Sequence, residues 1–308
     1  MNIVLASDNN FVQHCAVTIV SILKNNCDVT LYLLTDNLSI ENEYMLLTLT
    51  QLNDGKLIVV KVPDNILDKL PMPKGLFLHI SVATYYRLFI SELLPSHIDK
   101  VIYLDCDIVV RHSLEELWNT NLMDYAIGAV YQYNEWSDNE NSWDRLHIER
   151  KHGYFNAGVL LINLRYWRKF NIQERFMNFI EENFTVIRSH DQDVLNAVLS
   201  QSTFPLEYRW NLLPWLFDDY SAWTFPYDIL LANVKKDISD PYIVHFVNTP
   251  KPWKSGCTNP FRSEYYKYLE YTPWKDFRPS FEFRSWIYYR IYHPVMVYMG
   301  KIKRFIFG

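Results

Sequence analysis

The strongest constraint on the fold is the alternation of short apolar runs with helically periodic segments over the first hundred residues. The strand-like run 2–6 precedes a helical segment at 12–23. Cys15, Ile19 and Ile22 of that segment fall close to one face at helical spacing. The alternation continues with strand-like runs at 29–35, 57–62 and 101–104 and helical segments at 40–52 and 80–94. Strands separated by crossover helices form mostly parallel, doubly wound sheets, so the sequence predicts an α/β fold.

The second half of the chain continues the pattern without a break in composition. It contains strand-like runs at 126–131, 159–162 and 242–246 and helical segments at 172–183 and 192–200. No internal repeat or low-complexity linker divides the 308 residues. This length allows one large domain or two small ones at about 100–200 residues per domain. We predict a catalytic domain over 1–270 and a separate segment over 271–308.

Charge and cysteine usage exclude several classes of protein. The 30 basic and 35 acidic residues give a net charge of -5, which argues against a surface devoted to nucleic acid, so we predict no nucleic-acid partner. The four cysteines lack CxxC pairing and metal-ligand spacing, so a reducing, cytoplasmic setting is expected. The first residues do not resemble a signal peptide, and the longest apolar stretches fall short of the roughly 20 residues of a spanning helix.

Two carboxylates, Asp105 and Asp107, interrupt the otherwise apolar run 101–110. Residues at i and i+2 of a strand point the same way, and two carboxylates there are costly to desolvate unless a cation compensates them. The spacing alone is common and recurs later in the chain. Ligands of open α/β sheets bind outside the carboxyl ends of strands, which favours a divalent metal. The alternative is a solvated turn whose acids cap a helix beginning near Ser113.

His245 lies in the apolar run 242–247, and Lys251 follows in the sequence Asn-Thr-Pro-Lys-Pro-Trp. An isolated histidine in a strand is more often a hydrogen-bonded core residue than a ligand. With Asp105 and Asp107, however, its imidazole completes a mixed oxygen and nitrogen set suited to Mn²⁺ more than to Ca²⁺. Lys251 would then offset the charge of a phosphate.

The loop after the first strand contains no glycine, so neither a Walker loop nor a dinucleotide-binding fingerprint is present. Asp8 and Asn10 offer hydrogen-bonding groups there, and Phe11 offers a stacking face for a base. The alternative is a simple Asp/Asn turn leading into a helix.

The C-terminal segment differs in character from the rest. Residues 284–308 hold five Lys and Arg and no acid, among aromatic and aliphatic side chains. Such a segment suits a bilayer interface with anionic headgroups, since unpaired basic charge is costly to bury. The alternative is a helix packed on the domain. We predict peripheral attachment to the inner face of the cell membrane through 284–308.

Six motifs, taken in order, resemble glycosyltransferase family 8, most closely its bacterial lipopolysaccharide galactosyl- and glucosyltransferases. The resemblance spans roughly residues 1–270, and the basic aromatic tail beyond them is also similar to the membrane-attachment segment of those relatives. The motifs are ASDNNF at 6–11, YYRL at 85–88, YLDCD at 103–107, YFNAGV at 154–159, HDQD at 190–193, and His245 with KPW at 251–253.

The resemblance implies a GT-A fold, a single Rossmann-like nucleotide-binding domain with a mixed central sheet. It also implies a UDP-hexose donor, Mn²⁺ with Mg²⁺ as an alternative, and retention of anomeric configuration onto a glycan or glycolipid such as lipopolysaccharide. The implied metal ligands are Asp105, Asp107 and His245. The implied donor-binding residues are Ala6, Asp8, Asn10, Phe11, Asn156, Ala157, Asn248 and Lys251. The implied catalytic residues are Arg87, Asp191, Gln192 and Lys251.

Two positions depart from the family pattern. Gln132 stands where relatives carry an acid, which leaves the choice of hexose open. Asn248 stands where they carry glycine, which restricts the approach of backbone to a diphosphate. The aromatic-rich segments 131–152 and 208–227 are candidate acceptor surfaces, with ordinary packing as the alternative.

Two other functions compete with a transferase. A sugar-1-phosphate nucleotidyltransferase also combines an α/β domain with acids and a metal, but the missing glycine-rich loop speaks against it. A non-catalytic glycan- or membrane-binding protein with a decayed site would explain Gln132 and Asn248. Retention of both aspartates, His245 and Lys251 favours an enzyme.

Overall fold

The structure, a computed structural model, describes residues 1–68, 70, 82–132, 142–214, 234, 236–247 and 250–292. The chain divides into two compact units, Met1–His245 and Phe246–Gly308. The nine strands found among these residues all lie in the first unit. They are β1 Asn2–Ala6, β2 Thr30–Thr35, β3 Lys56–Lys61, β4 Lys100–Leu104, β5 Ile108–Val110, β6 Ile127–Tyr131, β7 Phe155–Asn163, β8 Thr203–Pro205 and β9 Ile243–His245.

Seven strands form a mixed sheet in the order β3-β2-β1-β4-β7-β6-β8. Strands β3, β2, β1 and β4 pair in parallel, and β6 pairs in parallel with β8. β7 pairs antiparallel with both β4 and β6, so it alone of the seven runs opposite to the others. The predicted α/β fold with a mixed central sheet is therefore confirmed. Strands β5 and β9 form a separate antiparallel pair.

Helices connect the strands close to the predicted positions. They are α1 Val12–Asn25, α2 Ile40–Gln51, α3 Asp64–Leu67, α4 Ile90–Leu93, α5 Glu115–Asn119, α6 Ser142–Arg145, α7 Leu164–Lys169, α8 Ile172–Asn183, α9 His190–Leu199, α10 Arg262–Leu269 and α11 Phe283–Ile287. The predicted helical segment at 80–94 includes a 3-10 helix, Val82–Phe89, which leads into α4. The short strands β5 and β8 were not predicted, because three residues carry too little periodicity to be recognised.

The core lies against the central strands of the sheet. β4 and β7 are buried along nearly their whole length, which is why both read as continuous apolar runs. α8 packs one stripe against this core, because Ile172, Phe176 and Ile180 recur at four-residue spacing and are buried while most of its other residues are polar. Each such side chain contributes about 1.5–3 kcal/mol when fully buried.

The second unit contains α10 and α11. Several apolar side chains near its described end are exposed, namely Phe281, Phe283, Trp286, Tyr288 and Ile291. Within the described ranges, no helix has both the length and the apolar character needed to cross a membrane. Residues 293–308, which hold most of the predicted membrane segment, lie outside the described residues.

Candidate active site

The candidate site forms where one end of β7 meets the carboxyl ends of β1 and β4. Because β7 is antiparallel to β4, its first residues lie beside the last residues of β4, with Leu104 opposite Val159. The amide of Asp105 continues this ladder by donating to the carbonyl of Gly158 at 2.9 Å. The Asn156-Ala157-Gly158 motif is thereby held against the Asp105-Cys106-Asp107 turn.

The three predicted metal ligands come together at this edge. Asp105 and Asp107 occupy the turn between β4 and β5, and β5 pairs with β9 so that Ile108 lies opposite His245. His245 Nε2 is 3.1 Å from Asp107 Oδ1 and 3.7 Å from Asp105 Oδ2. All three candidate ligand atoms lie within 4.8 Å of one another. The two carboxylates are partly exposed and the imidazole is buried, so the cluster opens to one side.

Gly158 provides the space for this cluster. A Cβ atom at position 158 would lie 2.1 Å from His245 Cε1 and 2.8 Å from Asp105 Oδ2. Real Cβ atoms essentially never approach other heavy atoms within 3.0 Å. Only glycine therefore allows the imidazole and the carboxylate to lie this close to β7.

The donor set fits a divalent cation. Two ligands at right angles, each about 2.1 Å from an ion, are about 3 Å apart, which matches the 3.1 Å between His245 Nε2 and Asp107 Oδ1. Two carboxylates and one imidazole suit ions such as Mn²⁺ or Mg²⁺, and three protein ligands leave coordination positions for phosphate oxygens.

Arg87 connects the cluster to a second carboxylate. Its Nη2 lies 2.7 Å from Asp105 Oδ1, its Nε lies 2.9 Å from Asp191 Oδ2, and its Nη1 donates to the carbonyl of Ala157 at 2.6 Å. The guanidinium also lies 4.4 Å from the centre of the Tyr103 ring. Burial would lower the pKa of Arg87, but Asp105 and Asp191 raise it above its ordinary value, so the group stays charged.

Asp191 lies in the first turn of α9 and is almost fully buried. Burial raises its pKa to about 6, against the opposing effects of Arg87 and of a short hydrogen bond from Thr84. The carboxylate is thus held from two sides, by a guanidinium and by a hydroxyl.

Side-chain amides fill the space between β6, β7 and α9. Gln192 Oε1 accepts from the backbone amide of Ala157 at 3.0 Å and from Asn156 Nδ2 at 3.1 Å. Gln132 Oε1 lies 3.5 Å from both Asn156 Nδ2 and Gln192 Nε2. Gln192 Nε2 also donates to the hydroxyl of Tyr154 at 3.2 Å. The structure therefore brings Gln132, which departs from the family pattern, into contact with the predicted donor residues.

The loop after β1 forms an Asp turn. Asp8 Oδ1 accepts from the backbone amides of Asn10 at 2.9 Å and Phe11 at 3.0 Å. Asn10 is exposed, and the Phe11 ring lies 4.7 Å from that of His14. Ala6 ends β1, beside β4. The turn predicted as the alternative is present.

Other predicted residues belong to the second unit or lie outside the described residues. Lys251 belongs to the second unit, where its ammonium donates to the carbonyl of Phe246 at 2.6 Å. Asn248 lies outside the described residues, as do 133–141 and 215–233 of the two candidate acceptor surfaces. Trp143 and Trp210 are buried, as ordinary packing predicts for them.

Residues that contact the predicted metal ligands were also missed by sequence reasoning. Tyr103 donates to Asp105 Oδ1 at 3.0 Å, and Asn211 lies 2.9 Å from His245 Nδ1. Tyr103 is part of the YLDCD motif, so its position two residues before Asp105 was a usable signal. A single asparagine outside any motif gave no signal for Asn211.

The GT-A-like sheet, with an Asp-Asp-His cluster at its carboxyl edge, places this protein among the glycosyltransferases. Residues 2–257 match the profile of glycosyl transferase family 8, and the chain belongs to that family. This membership agrees with the resemblance stated from the motifs and leaves no support for a nucleotidyltransferase.

Individual relatives cover most of the chain. It is 31% identical over 283 residues to general stress protein A of Bacillus subtilis, covering 89% of this chain and 94% of that protein. It is 27% identical over 280 residues to a lipopolysaccharide 1,3-galactosyltransferase of Salmonella typhimurium, covering 89% and 79%. A solved structure of the galactosyltransferase LgtC in complex with donor and acceptor sugar analogs matches with a TM-score of 0.78 at 26% identity, covering 89% and 96%.

Proposed function

We propose that this chain transfers a hexose, galactose or glucose, from a UDP-sugar to a glycan or glycolipid with retention of anomeric configuration. The observation that carries the proposal is the Asp105-Asp107-His245 cluster, joined through Arg87 to Asp191 at the edge of a GT-A sheet. The named activity of the Salmonella relative and the sugar analogs bound to LgtC support a hexose donor and a glycan acceptor.

The metal-dependent part of the proposal concerns the leaving group. Asp105, Asp107 and His245 would hold Mn²⁺ or Mg²⁺, which supplies positive charge that stabilises a departing diphosphate. Arg87 and Tyr103 both contact Asp105 Oδ1, so the other oxygen of that carboxylate stays available as a ligand. Lys251 would add charge at the leaving phosphate.

The nucleotide and the sugar would be held by different parts of the edge. Ala6, Asp8, Asn10 and Phe11 would contact the uridine, and Asn248 the diphosphate. The donor hexose would lie against Arg87, Asn156, Ala157, Asp191 and Gln192. Gln132 would then determine part of the hexose preference, because it contacts both Asn156 and Gln192.

The hydrogen bonds and the ion pair that Gln192 and Asp191 already make favour a front-face displacement. A double displacement needs a nucleophile on the opposite face of the sugar. The Gln192 amide oxygen is a weak nucleophile and already accepts two hydrogen bonds, and Asp191 is held by Arg87 and Thr84. We expect the acceptor hydroxyl to attack the anomeric carbon on the side from which the phosphate leaves. The bonding pair departs with UDP, and a phosphate oxygen takes the hydroxyl proton.

The proposal includes a cellular location for the protein. Residues 1–270 would form the catalytic domain, and 271–308 would attach it to the cytoplasmic face of the membrane, where lipopolysaccharide or another surface glycan is built. The exposed aromatic side chains of Phe281, Phe283, Trp286 and Tyr288 support an interfacial segment.

A panel of UDP-sugars, scored for slow hydrolysis with and without Mn²⁺, tests the proposal and identifies the donor. One UDP-hexose should be hydrolysed in a metal-dependent manner, and Asp105→Asn and Asp107→Asn should each abolish it. Asp240→Asn is the matched control, since Asp240 is an exposed carboxylate paired with Arg111. Undiminished turnover in both site variants contradicts the proposal. A covalent sugar trapped on Gln192 or Asp191 of the wild-type protein contradicts the front-face mechanism.

A further inference from the structure

Asn211 is a fully buried residue whose side chain lies between His245 and Asn156. It follows the 3-10 turn Tyr208–Trp210 and is 0% exposed. Its Oδ1 lies 2.9 Å from His245 Nδ1, and its Nδ2 donates to Asn156 Oδ1 at 2.9 Å. It therefore touches one predicted metal ligand and one predicted donor-sugar residue at once.

The backbone holds Asn211 firmly in this place. The amide of Leu212 donates to the carbonyl of Ile243 at 3.0 Å, and the amide of His245 donates to the carbonyl of Leu212 at 3.1 Å. Asn211 is thus attached alongside β9, the strand that carries His245. The backbone next to Asn211 is therefore fixed relative to the backbone of His245.

Backbone donors determine which way each amide in the cluster points. The amide of Gly158 donates to Asn156 Oδ1 at 3.0 Å, so this atom is an acceptor, and the Asn211 atom facing it must be the donor Nδ2. At the other end, the amide of Ala157 fixes Gln192 Oε1 as an acceptor, which agrees with Asn156 donating through Nδ2. Both ends of this series of hydrogen-bonded amides therefore give the same orientation for the Asn156 and Asn211 side chains.

The orientation of Asn211 determines the proton position on His245. Asn211 presents its carbonyl oxygen to Nδ1, so Nδ1 must carry a proton and donate it. In the neutral ring, Nε2 then has a free lone pair directed toward Asp107 Oδ1, 3.1 Å away. A lone pair and a carboxylate oxygen at that distance repel each other unless a metal ion or a second ring proton lies between them.

We propose that Asn211 is a positioning residue that fixes His245 in the Nδ1-protonated tautomer and couples the metal-binding nitrogen to the donor-sugar side through Asn156. The metal part of this inference rests on the proposed function, whereas the tautomer part does not. A partner that orients a ligating histidine in this way typically changes metal affinity about 10–100-fold when it is removed.

Two variants separate the contacts of Asn211. Asn211→Leu removes both hydrogen bonds at similar volume, and Asn211→Asp keeps an acceptor for His245 Nδ1 while losing the donor to Asn156. Asn196→Leu is the matched control. Asn196 is also 0% exposed, and its side chain also makes two hydrogen bonds next to the site, to the backbone amide and carbonyl of Phe155 in β7.

The tautomer is read by ¹⁵N NMR of His245 in the metal-free full chain at a pH where the imidazole is neutral. We expect the proton on Nδ1 in wild type, in Asn211→Asp and in Asn196→Leu, and on Nε2 in Asn211→Leu. A wild-type proton on Nε2, or an unchanged tautomer in folded Asn211→Leu, overturns the proposal. The wild-type spectrum decides even where the leucine variant does not fold.

Metal affinity is measured by titration with Mn²⁺ alone. Asn211→Leu should weaken binding about 10–100-fold relative to wild type and to Asn196→Leu, and Asn211→Asp should recover at least part of the loss. Equal affinity in wild type and Asn211→Leu overturns the coupling. Absence of Mn²⁺ binding in wild type would instead refute the metal site of the proposed function, while the NMR result still decides the role of Asn211.

Discussion

Replacing Gly158 by alanine is the most direct test of how the site is built. The added methyl would lie 2.1 Å from His245 Cε1. Real Cβ atoms essentially never lie within 3.0 Å of another heavy atom, so the imidazole must retreat by at least about 0.9 Å, the difference between these distances. Metal sites tolerate deviations of only about 0.2 Å in ligand distance. We expect Gly158→Ala to abolish measurable Mn²⁺ binding and metal-dependent turnover.

The control is Gly128→Ala, in the neighbouring strand β6. A Cβ there would lie 3.2 Å from Leu122 Cδ2 and 3.3 Å from Leu206 Cδ2, which the flexible ends of the leucines can relieve. Overpacking costs typically about 1–3 kcal/mol, so both variants should remain folded or nearly so.

Isothermal titration with Mn²⁺ and thermal unfolding give the two readouts. Metal binding should be lost in Gly158→Ala and kept in Gly128→Ala, with both proteins melting cooperatively. Wild-type Mn²⁺ affinity in a folded Gly158→Ala protein would show that His245 and Asp105 do not form the site as described.

Three further predictions concern charge. Arg87→Met leaves Asp105 and Asp191 without their buried partner and should lower the free energy of unfolding by about 3–5 kcal/mol in urea titrations; an unchanged midpoint contradicts the ion pairs. Burial raises the pKa of Asp237 to about 6, whereas the pKa of an aspartate in the unfolded chain is about 3.9. Between these two pH values the folded state binds more protons than the unfolded state, so the free energy of unfolding falls as pH rises from about 4 to 6. Asp237→Asn should flatten that fall in thermal unfolding, and an unaltered slope refutes it. Removal of 284–308 should abolish co-sedimentation with anionic vesicles, and retained binding rejects the membrane segment.

The alternating strands and helices were predictable because the sequence signals for them are local. The strands β1 to β4 and helices α1, α2 and α8 each follow from apolar spacing within one segment. The reversed direction of β7 was not available from spacing, since a strand buried on both faces reads the same in either direction.

The site was predictable only where a motif held several of its residues. Asp105 and Asp107 stand out because charge interrupts an apolar run, whereas their contact with His245 depends on the pairing of β5 with β9. The role of Asn211 depends on hydrogen bonds between segments that are distant in sequence, which no local pattern records.

The antiparallel strand β7 also separates a rigid part of the candidate site from a part whose side chains can be substituted. The backbone of Ala157 and Gly158 is held by the Arg87 guanidinium, the Gln192 amide oxygen and the amide of Asp105, so this part of β7 forms a fixed floor. Gln132 stands at the rim of that floor, just beyond the end of β6. We therefore expect substitutions of Gln132 to change the sugar preference of the protein while the floor, and the chemistry proposed for it, stays constant.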